Sequence, residues 1–69
     1  MKLISAVDEN ESLYVADNLD FEGHLEVELD TYGSLSNVYL DETQLALLYK
    51  HIGEVLKANE VSSSDKHNN

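Results

Sequence analysis

Gly-His-Leu-Glu-Val-Glu-Leu-Asp, residues 23–30, alternates without a break. Leu25, Val27 and Leu29 fall on one side of an extended chain and His24, Glu26, Glu28 and Asp30 on the other, the period-two pattern of a strand with one apolar face. The Thr31-Tyr32-Gly33-Ser34 stretch that follows has turn chemistry, because Gly33 can take a positive φ with no Cβ to clash. Residues 35–40 then read as a second strand, with Val38 and Leu40 on one side and Tyr39 on the other, so this part of the chain predicts a β-hairpin. Upstream, residues 2–7 and 12–16 are shorter extended candidates, separated by the polar turn segment Asp8-Glu9-Asn10-Glu11. The expected sheet has three or four antiparallel strands.

After the hairpin the period changes. Asp41 is a good N-cap, Gln44 three residues later completes a capping box, and Glu42 puts a negative charge at the positive end of the helix dipole. Leu45, Leu48, Tyr49, Ile52, Val55 and Leu56 then recur at helical spacing. This apolar stripe is expected to cover the sheet. Gly53 inside the helix costs about 1 kcal/mol relative to Ala, which points either to a closely packed strand or to a weak helix end. From Asn59 onward a single apolar residue, Val61, remains among polar ones, and a disordered tail is expected. The predicted fold is therefore α+β: a small antiparallel sheet packed against one C-terminal amphipathic helix, with residues 1–58 as a single domain and 59–69 as the tail.

Charge is distributed on one side of the balance. Between Lys2 and Lys50 there is no Lys or Arg, while eleven carboxylates fall in that gap, and the whole chain of 69 residues has a formal net charge of −10. Interspersed charges ordinarily limit self-repulsion, so a one-signed surface implies a demand for solubility or a cationic partner. A domain of this size buries only about 60% of the surface its unfolded chain exposes, so its core is marginal. No Cys is present to supply a disulfide or a thiolate. That composition fits a reducing, cytoplasmic setting. The apolar run between Lys2 and Asp8 is too short for a signal-peptide core, and no run approaches the roughly 20 residues of a membrane span. An anionic surface is also repelled by anionic lipid, so no membrane association is expected.

Catalytic and metal chemistry find no motif. Neither acidic segment matches a calcium loop: Asp8-Glu9-Asn10-Glu11 lacks the Gly at the sixth place, and in residues 17–23 Leu19 and Phe21 stand where ligands belong. A pair of catalytic carboxylates needs a water-excluding cleft that so small a domain has little room for. His24, His51 and His67 are not clustered. The expectation is a non-enzymatic protein with no metal and no cofactor.

The acidic strand face is the remaining candidate. Glu26, Glu28 and Asp30 project from one side at about 7 Å intervals, twice the strand rise, a spacing comparable with that of phosphates along a nucleic-acid strand. Tyr39, outward on its strand, adds contact area with a polar tip. Glu22, His24, Glu26, Glu28, Asp30 and Tyr39 form the expected partner-binding set. In size, charge and lack of catalytic motifs the chain resembles the small accessory proteins of phages and mobile elements, nucleic-acid mimics among them; the resemblance is one of composition and rests on no motif. It implies an inhibitor or modulator that docks on a basic, nucleic-acid-binding protein and does not itself bind nucleic acid, as a monomer or weak homodimer. The alternative expectation is a structural or assembly module that self-associates, its charge serving solubility alone.

Overall fold

The computed structural model describes residues 1–68 and the side chains of residues 1–60. Its elements are β1 (Lys2–Ile4), β2 (Glu11–Val15), β3 (Leu25–Thr31), β4 (Ser34–Leu40) and α1 (Glu42–Asn68). The strands form one antiparallel meander in the order β1-β2-β3-β4. A four-stranded antiparallel sheet followed by one helix is the α+β arrangement that the alternation and the capping box predict. Over the tail expected for residues 59–69, the backbone continues α1 as far as Asn68, while Asn69 and the side chains of residues 61–69 lie outside the described residues.

Register assigns the two faces. Leu25 pairs with Leu40 and Val27 with Val38, while on the other side of β3 Leu29 pairs with Leu13 and Val27 with Val15. Leu3 extends the row by pairing with Leu13. Directly opposed residues share a face, so these eight side chains make one apolar surface. The opposite face carries Glu26 beside Tyr39, Glu28 between Tyr14 and Asn37, and Asp30 between Ser12 and Leu35.

Turns set the strand ends. Tyr32 (φ 57°) and Gly33 (φ 85°) are both left-handed. Two such residues make the type I′ turn whose twist matches that of a hairpin. Asp30 Oδ1 accepts the Gly33 N–H at 2.9 Å and the Asn10 carbonyl accepts the Tyr32 N–H at 2.9 Å, which hold this turn in place. β1 ends at Ile4, earlier than the expected residue 7. Asp8 Oδ1 accepts the Asn10 N–H at 2.9 Å, and the Asp8 carbonyl accepts the Glu11 N–H at 3.1 Å, so a side-chain-closed turn displaces the ladder.

The helix departs from expectation in its packing. Its stripe does not cover the sheet: Leu48 is 45% exposed, Ile52 48% and Val55 53%, and no side chain among the described residues is fully buried. Among the described residues α1 does not pack on any strand beyond the junction itself. The radius of gyration is 15.7 Å, against about 11 Å for a compact chain of this length. The cause is the junction. Only Asp41 separates β4 from α1, and the capping box forms in full: Gln44 Oε1 accepts the Asp41 N–H at 3.0 Å, and Asp41 Oδ1 accepts the Gln44 N–H at 2.8 Å. With the connection this short, the chain has no loop in which to turn α1 back over the apolar sheet face. Periodicity shows that a helix has an apolar face; it does not say which surface that face meets.

Candidate functional site: the acidic sheet face

β3 positions the candidate side chains. Glu26, Glu28 and Asp30 occupy alternate positions on the face opposite Leu25, Val27 and Leu29, because the pleat sends successive side chains to opposite sides. The same parity on β4 brings Tyr39 beside Glu26 and Asn37 beside Glu28.

The three carboxylates differ in their surroundings. Glu26 Oε2 accepts hydrogen bonds from Asn37 Nδ2 and, at 3.4 Å, from the Tyr39 hydroxyl. The negative charge of Glu26 is also the main reason that the Tyr39 hydroxyl ionises above its ordinary range, with desolvation, the Glu26 hydrogen bond and the charges of Asp20 and Glu28 adding to it. Tyr39 therefore stays a neutral donor. Asp30 is engaged in the hairpin turn through Gly33. Among the described residues Glu28 makes no side-chain hydrogen bond, and it sits half-buried between Tyr14 and Asn37.

Glu22 and His24 do not lie on the strand. They belong to the loop that precedes it, which closes on Asp20: Oδ1 accepts the N–H groups of Glu22 and His24 at 2.9 Å each, and the Asp20 N–H reaches the His24 carbonyl at 2.8 Å. The His24 N–H is the main cause that holds the Asp20 carboxyl below its usual value. Gly23, at φ 83°, gives the loop its reversal. His24 thus closes a loop rather than extending the charged row, because the Asp20 hydrogen bonds claim its backbone before the ladder begins at Leu25. Glu26, Glu28, Asp30 and Tyr39 thus share one face of the sheet, while Glu22 and His24 stand on the loop that leads into β3.

Three members of this surface escaped the sequence reading. Asn37 alternates with Tyr39 and could have been found by the same parity. Tyr14 and Lys2 could not, because Lys2 pairs with Tyr14 and Tyr14 with Glu28 only through register between distant segments. Among the described residues Lys2 is the one cation on this face, two strands from Glu28, about 10 Å at the usual strand spacing. Among the described residues the single ion pair joins the Met1 ammonium to Asp17 at 3.3 Å and takes in none of these carboxylates. The face can present an anionic row with hydroxyl and amide groups at its edge. No helix among the described residues is long and apolar enough to cross a membrane. Compared with known proteins, the chain matches no family model, no curated protein and no solved structure.

Proposed function

We propose that the protein is a small non-enzymatic interaction protein that binds a basic, nucleic-acid-binding protein through Glu26, Glu28, Asp30 and Tyr39, with Glu22 and His24 on the loop that leads into β3, and so inhibits or modulates it. The observation that carries this reading is the run of three carboxylates at alternate positions of β3, faced on β4 by Asn37 and Tyr39, with Lys2 the nearest cation of the face. A groove built to collect phosphates with Lys and Arg accepts such a row, because spacing and sign both match. None of the side chains of Glu26, Glu28, Asp30 and Tyr39 is buried, which favours a docking surface over a reaction site, since a reaction site needs a cleft from which water is excluded.

The test is capture from a cell lysate by immobilised wild type and by the double variant Glu26→Lys/Glu28→Lys, with short duplex DNA as competitor. A basic nucleic-acid-binding protein should be retained by the wild type, lost with the variant and displaced by the duplex. Both side chains point away from Leu25, Val27 and Leu29, so the variant should keep the wild-type circular dichroism spectrum. Retention that neither the reversal nor the duplex alters would overturn the proposal.

A further inference from the structure

Among the described residues two apolar surfaces stand uncovered. One is the sheet face built from Leu3, Leu13, Val27, Leu29, Val38 and their neighbours, of which Leu3 is 51% exposed and Val38 55%. The other is the α1 stripe. A stable domain needs two packed layers around one core, and a lone sheet with an open apolar face lacks the second. Here the second layer exists on the same chain but is directed away from the first by the one-residue capped junction.

We infer that a second copy of this chain covers both surfaces: two protomers exchange helices, the α1 stripe of each lying on the apolar sheet face of the other in a closed two-fold dimer. Dimensions agree. From Leu45 to Leu56 the stripe spans about 17 Å at the helical rise and the helix is about 10 Å across; seven-residue β3 is about 23 Å long and four strands span about 14 Å between outer axes. Area agrees as well. The chain exposes 5864 Å², whereas a compact monomer of its mass exposes about 4,300 Å². The excess, about 1,500 Å², is well above the roughly 800 Å² per partner of an ordinary stable interface, as an obligate dimer requires.

Charge selects this arrangement over a face-to-face stack of sheets. Residues 1–41 carry ten carboxylates against Lys2, a formal −9, while residues 42–68 carry Glu42, Glu54, Glu60 and Asp65 against Lys50, Lys57 and Lys66, a formal −1. Stacked sheets oppose the two −9 halves; helix on sheet sets the nearly neutral element against the acidic one. A helix pair alone leaves both apolar sheet faces wet. β4, the edge strand from which α1 leaves, has no charged residue over Ser34–Leu40, so no like charge keeps a second copy from that side. The exchange leaves the acidic face outward, independent of the binding proposed above.

Light scattering at micromolar concentration should give twice the 7.7 kDa of the chain, and Ile52→Glu or Val27→Glu should halve that mass. Leu47→Glu, on the far side of the helix from the stripe, and Glu26→Lys/Glu28→Lys should both leave it doubled. Because the stripe variants could unfold instead, a disulfide test on near-native chains accompanies them. The protein has no Cys of its own, so mixed Leu29→Cys and Ile52→Cys chains should oxidise to a cross-linked heterodimer in several-fold excess over either homodimer. A wild-type mass of one chain would overturn the dimer, and cross-linking only between Ile52→Cys copies would overturn the exchange in favour of a helix pair.

Discussion

Tyr32 takes a left-handed backbone conformation at φ 57°, which costs a residue with a Cβ about 1 kcal/mol. Asn or Gly usually fills that place in a type I′ turn. The compensation comes from 24 positions away, where the Asp8 carboxylate accepts the Tyr32 hydroxyl. That bond is the main reason that Asp8 ionises below its ordinary 3.8 and Tyr32 above its ordinary 10.0. A depressed carboxyl value means that the unfolded chain binds the proton more tightly, so this contribution is present above pH 3.8 and is lost as the pH falls through the lowered value. A raised hydroxyl value means the reverse: the contribution is complete below pH 10.0 and is lost as the pH rises through the raised value. Tyr32→Phe should therefore lower the melting midpoint near neutrality and approach the wild type at both extremes. Melting curves of the two proteins across pH check this, and a gap that stays constant would show that the hydroxyl bond is not its source. The sequence announces a turn at Gly33 but not the strain at Tyr32, because Asp8 becomes a neighbour only when the sheet forms.

At the scale of elements, the hairpin and the helix start were legible because both are local. Alternation over residues 23–30 and the pairing of Asp41 with Gln44 need no distant contact. Asp41→Ala removes one of the two capping bonds and should cost about 1 kcal/mol of helix stability. Gly53→Ala should act in the opposite direction, with a gain of about 0.5–1 kcal/mol, since an added Cβ meets no atom within 4 Å. Urea unfolding followed by circular dichroism measures both. A loss for Gly53→Ala would mean that another surface stands against the helix there. The ends of β1 and the place of His24 were not legible, because side-chain-closed turns at Asp8 and Asp20 compete with the ladder, and alternation alone cannot rank the two.

At the scale of the whole molecule, the net charge of −10 acts against compactness at low ionic strength, where the screening length is about 30 Å, and far less at 0.15 M, where it is about 8 Å. The melting midpoint should rise between those salt levels, while capture of a basic partner weakens over the same range. Calorimetry for the first and retention assays for the second separate the folding effect from the binding effect, and a midpoint indifferent to salt would show that the carboxylates are too dispersed to repel. The sequence by itself determined the element types, the hairpin, the helix cap and the acidic and apolar sides of β3, since each follows from spacing along a few residues. It also determined the charge. Tertiary structure alone decided that Tyr14, Asn37 and Lys2 share the face of Glu28, and that α1 stands away from its own sheet. The first depends on register between distant segments, and the second on the single-residue join at Asp41, whereas the periodicity of α1 says only that it has an apolar face and not which surface that face meets.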